Sequence, residues 1–193
     1  MSLHRLTTFV IAIILLLYPF LIFFGIQFLS VKGLSLIVLC LFGLRAVFSH
    51  TNNHAIIPKY ALFLLSGVGI AISTLGMLSH NIVFIKLYPV AMNVIFFSIF
   101  FVSLFAQENI IYQFAKKIAR QPLPYFVTAY TRKVTIAWCL FFILNALVSC
   151  YTALFSSLHI WTLYNGLISY ILIGVFFVCE FIVRLLIKRK NNK

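Results

Sequence analysis

Six apolar runs, at approximately 7–27, 33–49, 58–78, 82–105, 133–153 and 161–184, constrain this chain more than any other feature. Each is long enough, or nearly so, to cross a hydrocarbon core about 30 Å thick, which takes roughly 20 helical residues. Backbone N–H and C=O groups find no partner in lipid, so a crossing segment must be a helix or a strand of a closed barrel. Unbroken apolar runs lack the alternation of a barrel strand. The expected fold is therefore all-α: a polytopic membrane helix bundle of about six transmembrane helices, with residues 1–193 forming a single integral-membrane domain. Composition agrees, since 64% of the residues are hydrophobic and 9% charged, against about 25% charged in a soluble domain.

The first run has a short basic start, His4 and Arg5, as a signal peptide does. It continues through Phe20-Leu21-Ile22-Phe23-Phe24 without a small-residue cleavage site, and so reads as a retained first helix. The "SVKG" stretch at 30–33 leaves two readings of 7–49, two full spans or one span plus a re-entrant element.

Charge sets the expected orientation. The formal net charge is +13, with fifteen Lys and Arg and two acidic residues, Glu108 and Glu180. With six spans and both termini cytoplasmic, thirteen of the fifteen basic residues fall on the inner side: Arg5, Arg45, Lys59, the 106–132 loop with its flank, and the end of the last span with the basic tail 185–193. Lys32 and Lys86 fall outside. This asymmetry is the positive-inside pattern. The charges are scattered between apolar runs rather than gathered on a soluble domain, which points to anionic phospholipid and away from nucleic acid. The localisation expected is the bacterial inner (cytoplasmic) membrane, multi-pass.

The 106–132 loop contains "QENIIYQFAKKIARQPLPYF", in which Ile110, Ile111, Phe114 and Ile118 recur at helical spacing. The reading is an amphipathic helix between the fourth and fifth spans, stopped by Pro122 and Pro124. Either it lies in the interface, with Lys116, Lys117, Arg120, Arg132 and Lys133 meeting anionic lipid or a partner protein, or it is a tether packed on the bundle.

Polar residues inside the spans are the candidate site. In "FIKLYPVAMN", Lys86 is about one turn in from the outer end, shallow enough to snorkel outward, and Asn93 is about 17 Å in. Asn145 lies at a similar depth on the next span, so the two amides are placed to meet, either as packing partners or as part of a ligand path. Near the outer surface Lys86 and Tyr88 sit level with Trp161, Tyr164 and Asn165. These residues read either as an aromatic anchoring belt or as a small anion site at a bent helix end. Glu180 and Arg184 have the spacing of a local ion pair.

Chemistry beyond that is scarce. Cys40, Cys139, Cys150 and Cys179 all fall within spans without metal-binding spacing and read as packing residues. His50 and His54 are four apart in the polar turn "SHTNNHAIIP", with no third ligand. No phosphate-binding loop, metal set or cofactor motif is present, and no catalytic residue is assigned.

The stretches "FIKLYPVAMN", "YTRKVTIAWCLFFILNALVSCYTALFSS" and "WTLYNGLISYILIGVFFVCEFIVR" resemble a family of bacterial inner-membrane proteins whose members sit beside fatty-acid-synthase-like genes in aryl-polyene lipid clusters. The order of features is also distantly similar to the intracellular septation protein A family, in which a more polar pair stands at the places of Leu87 and Tyr88. The resemblance implies a non-catalytic membrane component of cell-envelope or lipid biogenesis, acting through partner proteins. Two other classes remain open: a carrier or flippase for a lipid or polyene-lipid product, and an intramembrane acyl or head-group transferase. The last would need a nucleophile or acid–base pair that two distant glutamates do not supply.

Overall fold

A computed structural model of the chain describes residues 17–49, 59–119, 124 and 126–191. Their regular structure is entirely helical. The first helix, α1, is Tyr18–Phe28, and Leu29 and Ser30 join it to α2, Val31–Ser49. A further helix, α3, is Lys59–Ser79. A bent pair follows, α4 at Ile82–Lys86 and α5 at Tyr88–Ser103. The short α6, Ile110–Ile118, precedes the 30-residue α7, Phe126–Phe155. Finally α8, Leu158–Leu163, passes through a π-helical turn at Tyr164–Ile168 into α9, Ser169–Asn191.

Among the described residues, three helical stretches are long and apolar enough to cross a membrane: Ile82–Ser103, Phe126–Phe155 and Leu158–Ile187. Local chemistry sets the joints between them. Asn81, Asn109 and Ser157 each stand at a helix N-cap, and their side-chain oxygens accept from Val83, Tyr112 and Ile160 N–H groups that the first turn leaves unpaired. The fifth apolar run begins as a helix at Phe126, seven residues before the expected 133. Arg132 and Lys133 mark a change in hydropathy, yet both are exposed on a continuing helix, and a cation on an exposed face does not stop one.

Most extensive of the helix pairings are α2 with α3 and α5 with α7. The first is close because Gly69 offers no side chain: a Cβ there would come within 2.5 Å of the Phe42 ring. Two apolar clusters result. One gathers Tyr18, Ile22, Leu34, Val38, Phe42, Ile85, Tyr88, Ala153 and Trp161. The other is aromatic, with Trp138 and Phe142 of α7 packed by Phe96 and Phe100 of α5 and Phe176 of α9.

The bend between α4 and α5 connects the first cluster. Pro89 lies in the first turn of α5 and has no N–H to give the Ile85 carbonyl four residues back. That carbonyl accepts instead from the Tyr18 hydroxyl at 2.8 Å. The neighbouring Lys86 carbonyl accepts from the Trp161 indole N–H at 3.0 Å. Helices α1 and α8 are thereby pinned to one break in the chain. Tyr18→Phe should cost about 1–3 kcal/mol, the range for an orphaned buried acceptor. In a Pro89→Ala background, where residue 89 can donate to Ile85 itself, the same change should cost clearly less. Chemical denaturation of the four proteins in detergent measures the coupling. Equal costs in the two backgrounds would show that Tyr18 is not answering the proline.

Candidate functional site

The polar interior is built around Asn145. Its amide Nδ2 donates to Asn93 Oδ1 at 2.9 Å, joining α7 to α5. Its Oδ1 accepts from Tyr164 Oη and from Ser169 Oγ, both at 2.8 Å. Tyr164 and Ser169 are five residues apart, a separation that splays side chains on an α-helix. Here the π-turn closes with Ser169 N–H donating to the Tyr164 carbonyl, and an i→i+5 turn brings residues five apart onto one side. The widened turn thus aims both donors at one amide oxygen. Asn93 completes its own set by donating to the Pro89 carbonyl at 2.8 Å.

One turn nearer the α8 end, Asn165 repeats the device. Its Oδ1 accepts from Ser149 Oγ at 2.8 Å, and its Nδ2 donates to the Trp161 carbonyl at 2.9 Å and to Thr152 Oγ1 at 3.3 Å. In hydrocarbon an amide without partners is costly, and each interhelical bond of this kind contributes on the order of 1 kcal/mol. Asn93, Asn145 and Asn165 are all buried and satisfied.

Several expected positions need correction. Lys86 does not snorkel outward: it is 6% exposed, and Nζ donates to the Ser156 carbonyl at 3.2 Å, just past the end of α7. A cation there meets the negative end of that helix, which competes well with a climb to the surface. Tyr88 and Trp161 do not form an anchoring belt, since they are 3% and 0% exposed and belong to the first apolar cluster. Tyr88 lies between the rings of Tyr18 and Phe42, at centroid distances of 4.9 and 4.7 Å. Arg45, grouped with the inner-side charges by sequence, is half-buried and lines a cavity. Cys139 is buried as expected of a packing residue, but Cys40 and Cys179 are exposed on the bundle surface.

The basic segment divides. Asn109, the N-cap of α6, also donates to Thr131 Oγ1 and accepts from Thr135 Oγ1, both at 3.1 Å, and Ile111 packs on the aromatic cluster. Helix α6 is therefore docked on α7. Lys116 pairs with Glu108 at 2.6 Å, and that hydrogen bond and charge hold its ammonium above the usual lysine pKa. Arg132 donates through Nη1 to the Leu104 carbonyl at 3.1 Å, while Lys117 and Lys133 are exposed. Arg120, Pro122, His50 and His54 lie outside the described residues. Glu180 sits 3.8 Å from Arg184 Nε and also accepts from the Tyr130 hydroxyl at 2.8 Å, a partner the spacing rule did not reveal.

A cavity of about 350 Å³ opens beside the Asn93–Asn145 pair. It lies between the two apolar clusters, with Tyr18 and Tyr88 on one side and Phe96 and Phe142 on the other. Among the described residues no group of three or more His, Cys, Asp or Glu is placed to hold a metal.

Among the described residues, fold and site together define a helical bundle with three helices long and apolar enough for a membrane, assembled around buried amides and a partly polar cavity. No family model, curated protein or solved structure matches the chain.

The central pair makes a quantitative expectation. Asn93→Leu and Asn145→Leu should each lower stability by about 1–2 kcal/mol, and the double change should cost less than the sum, because each single change orphans the other amide. Thermal unfolding in detergent across the cycle measures this. Strict additivity would mean that the amides do not interact.

Proposed function

We propose that this chain is a six-span, multi-pass protein of the bacterial inner membrane, with both termini cytoplasmic, that serves as a non-catalytic component of cell-envelope or aryl-polyene-like lipid biogenesis and acts through partner proteins. The observation that carries a structural rather than chemical role is the use made of the interior polar groups. Asn93, Asn145, Asn165, Tyr18 and Trp161 spend their hydrogen bonds joining helices or closing helix breaks. Both acidic side chains of the chain are engaged away from that network, Glu108 by Lys116 and Glu180 by Tyr130 and Arg184. The resemblance of the "FIKLYPVAMN" and "WTLYNG" regions to envelope-associated families supports the same reading. Exposed Lys117 and Lys133 beside the docked α6 supply a basic surface for anionic lipid or a cytoplasmic partner.

A second reading, a carrier or flippase for a lipid or polyene-lipid product, is favoured by one feature, the cavity at the Asn93–Asn145 level. A transferase has less support, since neither glutamate reaches the interior network.

Topology is tested by reporters. Fusions within 106–132 and after Lys193 should report cytoplasm, and a fusion between Leu78 and Ile82 should report the periplasm. Ends on opposite sides of the membrane would reject the six-span arrangement. The choice between component and carrier turns on whether activity follows stability. In a complementation assay the Asn93→Leu and Asn145→Leu proteins should lose function only in proportion to their lowered melting temperatures. Complete loss in a variant that melts normally would reject the non-catalytic component in favour of the carrier.

A further inference from the structure

Two groups at the cavity are not accounted for by helix packing. Tyr88 is 3% exposed, yet its hydroxyl has no hydrogen-bond partner among the described residues. Every other tyrosine or tryptophan pinned in the first cluster spends its polar atom: Tyr18 on Ile85 and Trp161 on Lys86. The second group is Arg45, which lines the same cavity. Its guanidinium stands next to the Tyr88 hydroxyl, where it can only donate toward the phenol oxygen, so the phenol O–H itself is left without an acceptor.

Arg45 is a permanent cation, and no side-chain carboxylate of this chain is free to neutralise it. The sequence contains two acidic residues, and both are committed elsewhere, to Lys116 on one side of the molecule and to Tyr130 and Arg184 on α7 and α9. Arg45 is half-buried at the cavity wall, and an arginine on a membrane helix that faces a cavity without a counter-ion marks the path or site of a charged ligand. The nearby Lys86 does not share this position, because its ammonium is bound to the Ser156 carbonyl.

The remainder of the lining is amphipathic. Asn93 and Asn145 stand at the polar end, and Met92, Phe96, Phe142 and Ile173 form apolar wall. At about 350 Å³ the cavity is near the lower end of ligand sites, which run from about 300 to 1,000 Å³. That space suits the head end of one chain-bearing molecule rather than a whole two-chain lipid.

We propose that this cavity binds the anionic head, a carboxylate or phosphate, of a lipid-like amphiphile, with Arg45 and the Tyr88 hydroxyl holding the head and Phe96, Phe142 and Ile173 lining the start of its apolar chain. Arg45 supplies charge and a forked donor set, and the phenol O–H supplies a further bond that nothing else in the interior takes. The site rests on the interior geometry alone, so it holds for either the component or the carrier.

The test is binding to the full chain in neutral maltoside detergent, followed by thermal shift and native mass spectrometry. The probes are oleate, dioleoyl phosphatidic acid, oleyl alcohol and inorganic phosphate. Oleate or phosphatidic acid should bind saturably and raise the melting temperature, and which of them does so identifies the head as carboxylate or phosphate. Oleyl alcohol and inorganic phosphate should not. Arg45→Gln should weaken the binding by about tenfold or more, as loss of a charge-assisted pair predicts, with Arg45→Lys retaining part of it. Tyr88→Phe keeps the ring packing, so it remains informative if Arg45→Gln does not fold, and it should weaken binding by about fivefold. Equal affinity for oleyl alcohol, or wild-type affinity in Tyr88→Phe and in any folded Arg45→Gln protein, would overturn the proposal. So would saturable binding of inorganic phosphate in place of the amphiphiles, because it would put a free anion in the site. None of these readings depends on the number or direction of spans, so a failed topology and a failed site remain distinct results.

Discussion

Pro89 breaks a membrane-length helix, and the organisation of the bundle follows from how that break is repaired. A proline in lipid leaves a carbonyl that no water can reach, so donors must come from neighbouring helices. Here the Tyr18 hydroxyl reaches Ile85 and the Trp161 indole reaches Lys86. Those two bonds fix α1 and α8 against the bend, and the rings that deliver them fill the first apolar cluster together with Tyr88 and Phe42. The lysine before the break is drawn inward to the end of α7 in the same arrangement. A defect in one helix therefore specifies the places of three others.

Away from the break, association cannot rely on the hydrophobic effect, since lipid tails are as apolar as the helix surfaces. What distinguishes the inner side of a helix is small and polar residues. Helix α7 shows this plainly: Thr131, Thr135, Trp138, Phe142, Asn145, Ser149 and Thr152 are all buried and follow one another at spacings of four and three. That is the period of a packing seam. Leu140, Ile143, Leu144, Leu147 and Val148, on the other faces, are exposed and suited to acyl chains. The π-turn on the facing helix adjusts phase, so that Tyr164 and Ser169 both meet the seam at Asn145.

The helical class and the meeting of Asn93 with Asn145 were legible from the sequence, because both depend on counting residues at a known rise. Hydropathy marks an apolar run but not the ends of its helix, since α7 runs through Arg132 and Lys133 and contains the whole 133–153 run. It fails for Tyr88, Trp161 and Lys86, whose level along the helices was read as their surroundings. Depth does not tell whether a side chain faces lipid or protein. The seam on α7 does tell it, as Ser149 and Thr152 share the phase of Asn145, a signal carried by serine and threonine that hydropathy treats as neutral. The π-turn had no equivalent signal, for nothing in "WTLYNGLIS" marks an extra residue in the turn.

Satisfaction of hydrogen bonds separates the two kinds of polar residue that a membrane interior contains. A group whose bonding capacity is used within the bundle, as at Asn145 and Asn165, is explained by cohesion. A ligand that took those bonds would have to replace them one for one, and would gain little. The Tyr88 residue is no less buried, its O–H finds no acceptor among the described residues, and beside it stands a cation for which the chain offers no free carboxylate. Cohesion gives no reason for that pair, since a phenylalanine at 88 would pack between Tyr18 and Phe42 as well and would carry no desolvation cost. The cost is recovered when an anion enters, which is why the cavity, rather than the satisfied asparagine pair, is where the chemistry of this bundle is left open.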